Sequence, residues 1–182
     1  MTPEHAGKHT FRFKDKKIVF AQGAHEPVLH VYSKVLVYAL YHKDYRTLRV
    51  EAKVDGRFQP DLSAQDYDGT MLFWAECGNV SLNKVEKLFK KYPRAHFVFV
   101  KEGGRATLFE DQLARQTKDM VRTPVVDIVI YPEHFHEWNV SPEGDVYIRK
   151  DDVTINRWER RKLKRKGQVN VNKGDLRCPR LS

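Results

Sequence analysis

Hydrophobic and polar positions change period several times along this chain, and each change marks an element. After Glu26-Pro27 the run VLHVYSKVLVYALYH is apolar almost all round, broken only by His30, Ser33 and Lys34. It predicts a long, mostly buried helix from about Pro27 to His42. Proline suits the first helical position, and an acid beside it suits the positive end of the helix dipole. Leu48, Val50 and Ala52 then alternate with Arg49, Glu51 and Lys53, a half-buried strand within 45–54. A short apolar run ends at Pro60-Asp61, and the turn Asp66-Tyr67-Asp68-Gly69 leads into Thr70–Glu76, which reads as a strand buried on both faces. Ser81 can cap a helix that carries Lys84, Lys87 and Lys91 on one side.

The flanks follow the same logic. Phe11–Phe20 predicts a strand or a hairpin around Lys14-Asp15-Lys16, and residues 1–10, without periodicity, read as disordered. Ala95–Val100 is a buried strand, Gly103-Gly104 a break, and Ala106–Lys118 an amphipathic helix. Val125–Tyr131 is a further strand and Pro132–Trp138 a loop. Val146–Ile148 and Val153–Ile155 predict a hairpin, and the basic run after Arg157 a short helix ending before Gly167.

Chemistry enters where polar residues fall on these apolar elements. Glu76 lies in a buried strand, where a carboxylate is costly unless it is paired or metal-bound. With Asp61 on a neighbouring strand and a lysine helix following, the constellation suits metal-assisted chemistry. The plainer readings stand beside it: a Pro-Asp turn, a buried acid bonded to amides, a solvated lysine face and, for Glu26, a helix-end charge. His134 and His136 form only half of a zinc set and read as loop histidines. Cys77 points to the face opposite Glu76.

Composition narrows the class further. A chain of 182 residues with 41% hydrophobic and 31% charged residues suits one soluble domain. No apolar run approaches the roughly 20 residues of a membrane span, no secretory signal stands at the start, and two cysteines suit a reducing cytoplasm. The net charge of +9 is concentrated: residues 157–182 hold ten Lys/Arg and two acids. The reading is therefore a body over 1–156 and a basic tail over 157–182. In that tail Arg160, Arg161, Lys162, Lys164, Arg165 and Lys166 are candidate contacts to nucleic acid.

The order helix, strand, strand, strand, helix, strand, with acids at Glu26, Asp61 and Glu76, resembles the core of the PD-(D/E)xK nuclease superfamily. Within it the chain is similar to the YaeQ family over most of its length. The residues carrying the likeness are Glu26, Pro60-Asp61, Trp74, Glu76 and Gly78, a helix with Lys84 and Lys87, and the hairpin around Gly144–Ile155. The resemblance implies an α/β (α+β), restriction-endonuclease-like αβββαβ core, a mixed sheet flanked by helices, with an extra C-terminal hairpin and the tail. It also implies Mg²⁺ or Mn²⁺ on Asp61, Glu76 and the Cys77 backbone carbonyl, with Glu26 completing the shell directly or through water. Nucleic acid, DNA before RNA, would be the substrate. Gly78 stands where the superfamily has its lysine, so that role passes to Lys87 or Lys84. The other class left open is a nuclease-like fold that binds or regulates without cleaving.

Overall fold

The computed structural model describes residues 7–14, 16–54, 57–132 and 134–159, with Trp138 by its backbone alone. The basic run Arg160, Arg161, Lys162, Lys164, Arg165 and Lys166, and the helix expected there, lie outside the described residues.

Strands β1 (Gly7–Phe13) and β2 (Lys16–Gln22) form an antiparallel hairpin. It includes Gly7–Thr10, expected to be disordered, because Phe11, Phe13 and Phe20 bury one face of the hairpin. Helix α1 (Val28–Tyr41) follows as its apolar run dictates. The expected strand over 45–54 shrinks to β3 (Arg49–Val50), since Glu51 turns the chain with a left-handed φ of 49°. Strands β4 (Leu62–Gln65) and β5 (Met71–Cys77) pair antiparallel across the Asp66–Gly69 turn, with Leu62 opposite Ala75.

Helix α2 (Leu82–Lys91) starts at Ser81, whose hydroxyl accepts from Lys84 N–H at 3.3 Å. A cap of this kind contributes about 1 kcal/mol. Strand β6 (His96–Glu102) runs straight into helix α3 (Gly103–Gln116); Gly103-Gly104 opens the helix instead of forming a separate break. Strand β7 (Val125–Tyr131) matches its expected bounds. Residues Phe135–Asn139, read as loop, form a short helix, α4.

The C-terminal hairpin is corrected by the structure. Val146 only bridges Val140, residues Lys150–Asp152 make a 3-10 turn, and β8 (Thr154–Trp158) pairs antiparallel with β7. Strand β8 ends at Trp158, which is buried.

Together the strands form a mixed six-stranded sheet, β3-β4-β5-β6-β7-β8, in which β5, β6 and β7 run parallel. Helices cover both faces. Strand alternation sends Phe73, Ala75, Cys77, Val98 and Val100 into a core with α1 and the hairpin. Trp74, Phe97, Phe99, Val126 and Ile128 face the opposite way, toward α2 and α3. Each large side chain so buried contributes roughly 1.5–3 kcal/mol. At the C-terminal ends of β5 and β6 both layers stop, leaving a polar cluster between α1 and α2.

Candidate functional site

Four elements build this cluster. Glu26, just before α1, and His30 and Lys34 on it recur every four residues, which puts the three side chains on one side of a mostly apolar helix. The carboxylate of Glu26 accepts from Lys34 Nζ at 2.5 Å and from Gly23 N–H at 2.9 Å. Lys34 is 1% exposed and also donates to Glu51, whose left-handed backbone turns its carboxylate toward α1. Burial alone would favour the neutral amine, but the two carboxylates hold the Lys34 pKa above its usual value. The same pairing, working against burial, holds Glu26 below the usual carboxylate value.

Asp61 stands just before β4, its N–H bonded to Ala75 O at 3.1 Å. One carboxylate oxygen is 3.2 Å from His30 Nε2, and the other accepts from Cys77 N–H at 2.6 Å. Burial pushes Asp61 upward, and these two donors outweigh it, leaving its pKa lowered. Glu76 projects from β5 toward α2. It accepts from Trp74 Nε1 at 2.7 Å, and its two oxygens lie 2.7 and 2.8 Å from Lys84 Nζ. Here burial wins over both donors, and the nearby charge of Asp61 adds to it, so the Glu76 pKa is raised.

The structure therefore brings Glu26, Asp61, Glu76 and Lys84 together, and separates Lys87 from them. Lys87 is exposed and lines a different hollow with Phe58, Trp74 and Tyr92. The Cys77 carbonyl belongs to the same strand end, while the Cys77 thiol is buried toward α1 and burial drives its pKa far up. Asn79 lines the adjoining cavity with His30 and Gly78; Gln65 sits at the far end of β4.

Three members of the cluster were not read as site residues. Lys34, which is buried, and Glu51, which is exposed, are the ion pair just described. Lys101, the last inward residue of β6, donates to the Gly78 carbonyl and lies 4.4 Å over the ring of Phe109. Burial lowers its pKa to about 8. A lysine thus does stand beside position 78, supplied by the neighbouring strand. The four-residue repeat on α1 was the one sequence signal for Lys34; nothing local signals Glu51 or Lys101.

The donor set can be judged against a hard cation. Among the described residues no group of three or more His, Cys, Asp or Glu side chains is placed to hold a metal ion. Asp61 and Glu76 are a pair of neighbouring carboxylates, which is what Mg²⁺ commonly takes from a protein, since it retains several waters. Their oxygens suit such an ion in type, and in this structure both carboxylates are held by protein donors. His134 lies 3.0 Å from Glu137, and His136 packs on Tyr32 with ring centroids 4.8 Å apart.

Known proteins place the fold. No protein-family model matches the chain, and no curated protein matches it in sequence. Among solved structures it is similar to the YaeQ protein from Pseudomonas syringae, with 16% identity and a TM-score of 0.58 over 86% of this chain and 90% of that one. It is also similar to the YaeQ protein from Xanthomonas axonopodis pv. citri, with 15% identity and a TM-score of 0.51 over 84% and 89%. The α/β architecture built around β4, β5 and their flanking helices is the fold of the YaeQ proteins.

Proposed function

We propose that the chain is a metal-dependent nuclease, a divergent relative of the PD-(D/E)xK enzymes that hydrolyses a phosphodiester of DNA or RNA. The observation that carries this reading is the placement of Asp61 and Glu76. They come from neighbouring antiparallel strands at the open end of the sheet, with Lys84 on Glu76. Asp61, Glu76 and the Cys77 carbonyl would hold Mg²⁺ or Mn²⁺. When bound, such an ion supplies an acidified water and neutralises charge on the phosphate.

The chain's own residues do the rest. His30 and Cys77 N–H fix the Asp61 carboxylate through both of its oxygens. Trp74 Nε1 fixes one oxygen of Glu76. Lys84, at 22% side-chain exposure, is the cation free to turn from Glu76 to a phosphate oxygen and offset charge that grows during attack. Lys34, sealed between Glu26 and Glu51, keeps Glu26 ionised and in position. Lys101, short of solvent and partly neutral near pH 8, is placed to exchange a proton at the Gly78 end of the cavity.

A second reading, a nuclease-like fold that binds without cleaving, is favoured by one observation. Glu26, Asp61 and Glu76 are all already paired with protein donors. Cleavage of labelled single- and double-stranded DNA and RNA in Mn²⁺, Mg²⁺ or chelator separates the two. The nuclease reading expects metal-dependent cleavage, lost in Asp61→Asn and Glu76→Gln, and a Mn²⁺-induced rise in Tm that both variants lose. A full chain that neither cleaves nor shifts its Tm with Mn²⁺ is the binding module.

A further inference from the structure

The parallel strands have a second end. Where β6 and β7 begin, they meet the C-terminal end of α1 and the β4–β5 turn around an open cleft of about 950 Å³. Its floor is a hydrogen-bonded network centred on Asp127, which is 2% exposed. Asp127 accepts from Tyr41 Oη at 3.1 Å, from His96 Nε2 at 2.8 Å and from Arg157 Nε and Nη2 at 2.5 and 3.2 Å. Burial pushes its carboxyl up, and His96 and Arg157 more than offset that, so Asp127 is ionised. The other ring nitrogen of His96, Nδ1, lies 2.8 Å from the Tyr45 hydroxyl. The network holds Tyr45 and His96 in place before any ligand arrives.

The rim carries charge and aromatic surface together. Lys43, Arg46 and Arg94 line the cleft, and among the described residues none of them has an acidic partner. Tyr67, on the β4–β5 turn, is fully exposed at 100%, and Tyr45 is half-buried. A small anion needs an enclosed pocket with converging donors, whereas this cleft is open and its cations are interleaved with phenol rings. Unpaired bases stack on such rings while cations follow the backbone. The last described strand, β8, also ends here. Trp158 pairs with Val126, next to Val125 in the cleft wall, and residues 160–182 carry nine Lys/Arg and one acid.

We propose that this cleft is a binding site for single-stranded nucleic acid, with bases stacked on Tyr67 and Tyr45 and phosphates held by Lys43, Arg46 and Arg94. The site is distinct from the Asp61–Glu76 cluster and stands whether or not that cluster cleaves.

Fluorescence anisotropy of a labelled oligothymidine with the full chain, in chelator and over a series of salt concentrations, tests it. Arg46→Ala with Arg94→Ala should weaken binding and flatten the slope of log affinity against log salt by about 1.4, at ~0.7 per single-strand phosphate contact. Tyr67→Ala should weaken oligothymidine binding roughly 5- to 150-fold, leave the salt slope unchanged and spare a duplex of equal length. Lys16→Ala with Lys17→Ala removes the same charge from the exposed face of the hairpin and should change neither quantity. The proposal is overturned if the arginine pair behaves like this control, or if Tyr67→Ala leaves oligothymidine binding intact. Equal losses for single strand and duplex would also overturn it, reducing the cleft to a general polyanion surface. Because no divalent ion is present, a failure of catalysis leaves these outcomes unaffected.

Discussion

Replacing Lys84 with Met isolates the interaction on which the candidate site turns. Glu76 is 7% exposed and keeps only the Trp74 indole once the ammonium is gone. Removing one partner of a fully buried ion pair costs about 3–5 kcal/mol. The Lys84 side chain is 22% exposed, so its contribution is partly screened, and Trp74 remains. A loss of roughly 2–4 kcal/mol at pH 7 is the result, about 4–16 °C in Tm for a domain of this size. The pH dependence has a defined sign. The folded state already binds the Glu76 proton more tightly than the usual value of 4.5, chiefly through burial, and without Lys84 it binds it more tightly still. Stability conferred by that proton is therefore lost as pH rises from about 4.5 through the folded pKa. The deficit of Lys84→Met is largest at neutral pH and shrinks on acidification, where Glu76 is neutral in both states. Urea denaturation at pH 7 and pH 4, with Glu76→Gln alone and combined, completes the cycle, and a coupling of about 1–3 kcal/mol is expected. A deficit under about 0.5 kcal/mol, the range of ordinary surface changes, that does not vary with pH would refute the pairing.

Two further outcomes are expected. Gly144→Ala should lower stability by at least ~2 kcal/mol in a thermal melt, because the residue has φ +87° and an added Cβ would lie 2.4 Å from Thr10 O; an unchanged Tm would mean that the β1 contact is not held in solution. Lys101→Met should gain stability over the parent as pH falls from about 10.5 to about 8, and hold the gain below that, since the folded state resists protonation there. The full gain is roughly 2–4 kcal/mol, and a difference that stays level across that pH range would show that Lys101 is solvated.

Elements with a buried, mostly apolar run were legible, because their pattern and their environment say the same thing. Helix α1 and strands β5, β6 and β7 are of this kind. The failures lie where a distant residue decides. The alternation around Leu48–Ala52 is real, yet buried Lys34 draws Glu51 inward and ends the strand after Val50. Val146 and Val153 resemble two arms of a hairpin, but the edge of β7 takes Thr154–Trp158 instead. At the site, Asp61 and Glu76 could be placed from the order of elements. The choice between lysines could not, because it depends on helix phase: Val85, Leu88 and Phe89 face the core, leaving Lys84 at the strand end and Lys87 in solvent. Lys101 and the Asp127 network join strands far apart in the chain, and no local pattern encodes them.

The sheet's spatial order is also its chain order, from β3 to β8, with no strand inserted between two that precede it. Each new strand finds its partner among residues already made, so the sheet can grow by accretion as the chain emerges from the ribosome. One closure has to wait. Arg12 N–H bonds to Gly144 O and Val146 N–H to Arg12 O, joining β1, the first described strand, to a loop translated some 130 residues later. At about 5–20 residues per second that interval is roughly 7–26 seconds, during which the β1–β2 hairpin lacks this clasp. A chain stalled before Gly144 would therefore hold most of its sheet while β1 was still unclasped.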